Sequence, residues 1–293
     1  MPKDYHRLKN LIKWALIVFI VMTSAAYIVD SLLCIEAYNE IKAIIIPIIM
    51  DYSSCINTIV DIIFTVLLRH IGSRLDEINN CIMQLSETEN YGPRYKGKRC
   101  LVVNSVGSVE SRKHILWTVM HLHLELCRVA RNINGFFGIQ ITLQMLSYFV
   151  ILIGMFNLHY NAILKPIKIY DDDTALKILL STNTWFIIYL MKLISLNHIC
   201  ESVSAKAQKT KDVIHKLINR LCFAEIREEM SQFASQIILR PLKFSGLGMF
   251  YFGYDFIRKF FISTVSVVLF MVQMDVAPIM FIKYNMTQIE KNH

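Results

Sequence analysis

Apolar positions along this chain fall into two patterns. Some run almost unbroken for the length of a bilayer crossing, while others recur every three to four residues between charged ones. An α-helix needs about 20 mostly apolar residues to cross. Five stretches approach or exceed that: Trp14 to Val29, Ile44 to Leu68, 139–164, Ile178 to Cys200, and Phe260 to Met274. The third lies within a longer run, 132–164, that carries no Asp, Glu, Lys or Arg.

The second pattern occupies the segments 69–131 and 201–259. Ile115, Val119, Leu122, Leu126 and Val129 keep helical spacing, and so do Val213, Leu217, Leu221, Ile226 and Phe233. This predicts amphipathic helices whose apolar faces need a partner, either a neighbouring subunit or the chain's own final segment. Phe244 to Tyr254 reads as a further helix on the same side. Asp255, Arg258 and Lys259 follow it; a charge at the centre of a crossing costs about 2.5 to 3.5 kcal/mol, so three in five residues mark a junction before the last span. The remaining apolar run to Met274 is short, and must draw on Val276 to Ile282 or cross at a thinned site. The expected fold is all-α: a multi-pass transmembrane helical bundle with long cytosolic helix extensions, forming one membrane domain over 1–293.

Composition agrees, with 54% hydrophobic residues, 18% charged residues and a mean hydropathy of +0.42. The net charge of +8 could suggest nucleic acid. Its distribution points instead to a bilayer. With the amino terminus in the cytosol, 22 Lys and Arg residues fall inside and 6 outside, as the positive-inside rule requires. The lipid bilayer is then the partner, with no nucleic acid. The expected location is the plasma membrane, with the carboxyl terminus extracellular and Asn285 of Asn285-Met286-Thr287 a candidate for glycosylation. Ser24, Ala25 and Ala26 could end a signal peptide, but the apolar stretch exceeds a usual signal core and favours a retained span.

Little else carries chemistry. The seven cysteines are scattered and form no CxxC pair, so neither a zinc site nor a disulfide framework is expected. His121 and His123 would point about 200° apart on a helix and could not share a metal. No phosphate loop or nucleophile triad is visible, so no enzyme activity, metal or cofactor is expected. Asp61 and Lys192 lie within apolar stretches. Each is a candidate for ligand contact or ion relay, against the plainer reading that Asp61 is paired and Lys192 snorkels. Tyr148, Tyr160, Trp185 and Tyr189 are candidates for an outer-half ligand pocket, against ordinary packing or interfacial aromatics.

The last apolar run, STVSVVLFMVQM, is unusual in carrying two serines and a glutamine. At about 100° per residue, with Ser266 at zero, Ser263 falls near 60°, Phe270 near 40° and Gln273 near −20°. Val268 and Val272 take the opposite arc, with Ile262 placed behind them. Such a polar stripe suits either hydrogen bonds between packed helices or a narrow ion path that an apolar ring can dewet.

The order of these pieces resembles the insect gustatory receptor family. HLHLELCRVARNINGFFGIQITLQMLSYFV is similar to its fifth helix with the cytosolic lead-in, and CESVSAKAQKTKDVIHKL to the loop after its sixth. RHIGSRLDEINNCI resembles the continuation of its fourth, and FSGLGMFYFGYDFIRKFFISTVSVVLFMVQM its last. Where the family shows Thr-Tyr, five apolar residues and Gln-Phe, this chain has Ser266-Val267, Val268 to Val272, and Gln273-Met274. Members carry seven spans and the matched pieces are the last five, so a fragment, a gene-model error or a truncated form is expected.

The resemblance implies a taste receptor of chemosensory neurons: a ligand-gated cation channel subunit opened by small-molecule tastants, assembled as a homo- or hetero-tetramer. It favours a pore lined by Ser263, Ser266, Phe270, Gln273 and Met274. The alternatives are a non-conducting truncated subunit and a secondary transporter. The latter usually shows internal repeats with paired broken helices, which are not visible here.

Overall fold

The computed structural model describes residues 2–38, 41–87, 109–164, 172–220 and 224–291, with side-chain surroundings over most of 17–274. Its helices are α1 (Pro2–Tyr38), α2 (Ile45–Glu87), α3 (Val109–Leu164), α4 (Asp172–Arg220), α5 (Ala224–Leu239) and α6 (Tyr254–Lys291). A 3-10 turn at Ile41–Ile44 precedes α2, and Pro47 follows within the first turn of α2, where its missing N–H costs nothing. Each of the five apolar stretches read from the sequence lies in helix. Among the described residues, α2, α3 and α4 are long and apolar enough to cross a membrane.

The chain divides into two units. One comprises 1–60, 143–195 and 257–293, the other 61–142 and 196–256. In the second unit the amphipathic pattern becomes a packed bundle. Phe64, Leu68, Ile71, Leu75, Ile78 and Ile82 of α2 are all buried at alternating spacings of four and three, which keeps one stripe of a helix facing its neighbours. Leu116 and Val119 of α3, Val213, Ile214 and Leu217 of α4, and Met230, Phe233, Ala234 and Ile237 of α5 complete that core. The extensions thus find a partner in one another.

Polar side chains fix the register of this bundle. Asn79 donates from Nδ2 to the Lys206 carbonyl at 3.0 Å, and Lys206 pairs with Asp76 at 2.5 Å. His123 is 2% exposed. Its Nε2 lies 3.4 Å from the Ala207 carbonyl, and its ring meets Phe233 edge-on at 5.4 Å. His121 is exposed, so the two histidines do point apart.

Burial pushes the His123 pKa down to about 4; the Ala207 hydrogen bond opposes this and the Arg131 charge adds to it. A histidine held neutral in the fold but free to protonate near 6.5 when unfolded stabilises above that value. Its contribution is lost as pH falls toward 4. Between pH 7 and 5 the second unit is expected to lose about 2 kcal/mol from this residue. Thermal denaturation across that range measures it, and His123→Phe is expected to flatten the slope.

One element departs from expectation. The segment expected as a helix from Phe244 to Tyr254 is not helical before Tyr254: Ser245–Gly246 and Phe250–Tyr251 form an antiparallel hairpin, pairing Ser245 with Tyr251 and Gly246 with Phe250. At its turn Met249 donates its N–H to the Gly246 carbonyl at 3.0 Å, and Leu247 and Gly248 take φ of 52° and 74°. Two successive residues in the left-handed region are what the tight hairpin turn needs and what a helix forbids. A Cβ on Gly246 would stand 2.6 Å from the Phe250 ring and 2.7 Å from Thr142 Oγ1, so only glycine lets the hairpin seat there.

Candidate functional site

Helix α6 is launched from the second unit. Gly253, at φ 145°, donates its N–H to Asn197 Oδ1 at 3.0 Å, and the Tyr254 hydroxyl lies 2.6 Å from His198 Nδ1. Asp255 falls in the first turn, where a carboxylate suits the positive end of the helix dipole. The charged cluster therefore opens the last helix instead of interrupting it, and the helix continues unbroken past the apolar run to Lys291.

From Phe260 to Met274 the helix has two sides. Phe260 and Thr264 are buried, and Phe261, Val268, Met271 and Val272 are half-buried. Phe260 meets Phe149 of α3 edge-on at 5.6 Å. These six fall within about 120° to 240° on the scale that puts Ser266 at zero. Everything else in this stretch is exposed, and the middle of the exposed arc carries Ser263, Ser266 and Gln273. Phe270 and Met274 on the same arc are 61% and 62% exposed. All five residues read as pore-lining thus share the side that the chain leaves uncovered. Val268 and Val272 pack inward as expected. Ile262 does not stand behind them: it is 61% exposed, because four residues before Ser266 is about one full turn.

In the first unit three of the four aromatic candidates come together. Tyr148 and Tyr189 have ring centroids 5.5 Å apart, and Trp185 stacks on Tyr189 at 5.8 Å. The Tyr148 hydroxyl accepts from Gln144 Nε2 at 2.6 Å. Tyr160 lies twelve residues beyond Tyr148 on α3, about 18 Å along the axis, and does not join the stack.

The structure adds residues that the sequence reading missed. Asp30 of α1 accepts from Trp185 Nε1 at 2.6 Å and from the Ser181 hydroxyl. Lys192 donates to Thr58 Oγ1 and lies 5.8 Å from the centre of the Tyr189 ring. Asp30 closes the first apolar stretch, just beyond the window that defines a span. A charge placed there on a continuing helix was the available signal. Asn285 sits on the last part of α6, where side chains lie outside the described residues.

Three comparisons bear on what this arrangement belongs to. A family described as 7tm chemosensory receptor matches residues 1–278. The putative gustatory receptor 28b of Drosophila melanogaster is 25% identical over 138 residues, which cover 46% of this chain and 29% of that relative. The chain thus spans less than a third of the length of the curated relative it matches. The insect olfactory receptor OR5 from Machilis hrabei superposes with a TM-score of 0.68 at 12% identity, covering 93% of this chain and 70% of that structure; this likeness bears on the fold alone. With a match running from the first residue through the whole of the two-sided last-helix segment, the chain belongs to the 7tm chemosensory receptor family.

Proposed function

We propose that this chain is a subunit of a ligand-gated cation channel that detects small tastants. It acts as one membrane domain in the plasma membrane of chemosensory cells, with its amino terminus cytosolic and its carboxyl terminus extracellular. The observation that carries the reading is the uncovered side of α6, with Ser263, Ser266 and Gln273 at its centre and Phe270 and Met274 beside them. The Ser266 hydroxyl bonds within its own helix, to the Ile262 carbonyl at 2.8 Å, but hydrocarbon would offer the Gln273 amide no partner, which disfavours a lipid-facing arc with Gln273 at its centre. An arc facing a water-filled axis between four such helices would carry hydrogen-bonding groups at its centre and an aromatic able to dewet the closed state.

Opening would follow from tighter binding of the ligand to the arrangement in which the last helices stand apart. The aromatic cluster of the first unit supplies a recognition surface on different helices. The test is whole-cell recording with a tastant panel, comparing the native chain with the double variant F270A/Q273A. Basal leak is expected to rise by about tenfold as the dewetting ring and its polar neighbour are lost. Evoked current indistinguishable from that of the native chain would overturn the pore assignment. A chain that reaches the surface, stays silent alone and conducts only with a second subunit would leave it an accessory member.

A further inference from the structure

Among the described residues, Asp30 is a carboxylate with no cationic partner. Six residues on, Glu36 meets Lys177 at 2.7 Å, so the same pair of helices can supply a counter-charge. Asp30 receives only the neutral donors of Ser181 and Trp185. Among the described residues no Lys, Arg or His forms an ion pair with it. Lys192, about 10 Å along α4 from Trp185, is committed to Thr58. A half-buried carboxylate that receives neutral donors keeps its full negative charge, and a cation brought to it gains from that charge where water is partly excluded.

The surroundings indicate what matches it. Trp185, which holds Asp30, is stacked on Tyr189, and Tyr189 is tilted against Tyr148. Asp30, Trp185 and Tyr189 are all half-buried, so part of each remains reachable. A carboxylate accepts about four hydrogen bonds, of which two are used here. Its free lone pairs and the adjoining ring faces share one chemical preference, for a cation: aromatic faces attract ammonium groups, most strongly where water is excluded. The Ser31 hydroxyl, beside Asp30 on α1, is buried with no hydrogen-bond partner among the described residues.

We propose that Asp30, Trp185 and Tyr189 form a binding site for an organic ammonium, the ligand bringing a positive charge that no described residue pairs with Asp30. This rests on the reading of the aromatic cluster as the ligand site, and names its class: protonated amines in preference to neutral alcohols or sugars of the same shape.

The test uses the full chain in lipid nanodiscs. Binding is read by quenching of tryptophan fluorescence and by thermal shift, with amine and alcohol pairs that differ only in the charged group, such as 2-phenylethylammonium and 2-phenylethanol. Each ammonium is expected to bind about tenfold more tightly than its alcohol, and D30N to remove that preference. Should D30N misfold, the wild-type comparison alone decides, because it changes only the ligand. Equal binding of both members across the pairs, or binding of neither, overturns the proposal, as does a folded D30N that keeps the preference. Binding is measured apart from current: ammonium preference without evoked current would leave this site standing and remove the channel reading, and evoked current without the preference would do the reverse.

Discussion

Replacing Gln273 with Arg is expected to reduce evoked cation current by about a hundredfold or more while leaving the amount of receptor at the cell surface unchanged. The two halves of that expectation have separate causes. Gln273 lies on the exposed arc of α6, so a longer side chain costs the chain's own packing nothing. Arginine stays ionised in any environment, and in a tetramer the substitution would surround the axis with four positive charges, the arrangement that selects anions and repels cations. Val272→Arg supplies the contrast. Val272 is half-buried on the packed arc, and a guanidinium there is expected to lower surface expression instead of conduction. Recording current and surface biotinylation together separates the two. Normal cation current in Q273R would mean that this face does not meet the ion path.

Phe244→Ala is expected to destabilise the second unit by about 3 to 5 kcal/mol, the usual cost of deleting a buried phenylalanine. Phe244 is fully buried, meets Phe64 edge-on at 6.4 Å, and accepts the Phe252 N–H at 2.9 Å through its own carbonyl. Phe64 in turn meets Phe137 at 5.7 Å. One ring therefore ties the base of the hairpin to α2, and indirectly to α3. Thermal denaturation in detergent is the measurement. Phe244→Leu is expected to recover more than half of the loss, since most of the buried volume returns. A melting temperature in F244A equal to that of the native chain would show that the hairpin is not anchored there.

Much of this fold was legible because membrane and bundle packing both write themselves as periodicity. Val119, Val213, Leu217 and Phe233, spaced for one helical face, are buried, although Leu122 and Val129 of the same pattern are exposed, and the placement of Ser263, Ser266, Phe270 and Gln273 on one side of α6 follows from residue count alone. The hairpin at 245–251 was hidden because its aromatic residues mimic an apolar helix face. What decides its shape is backbone conformation at Leu247, Gly248 and Gly253, and glycine permits a left-handed backbone without announcing it. The Asp30 cluster was illegible for a different reason. It joins residue 30 to 181 and 185, and no local pattern encodes which helices become neighbours.

The hairpin that precedes α6 also sets a rotational phase. Its register, Ser245 opposite Tyr251, and the Gly253 N–H held by Asn197 fix where the first residue of the helix points, and each later residue follows at about 100°. A single residue inserted between Gly253 and Phe260 would keep every side chain in its order along the axis yet turn the whole arc by more than a quarter circle. Ser266 and Gln273 would then swing toward the flank of the helix and Val265 would take the centre. A change of length at the start of α6 would thus alter which side chains its exposed arc presents more than most single substitutions within the helix.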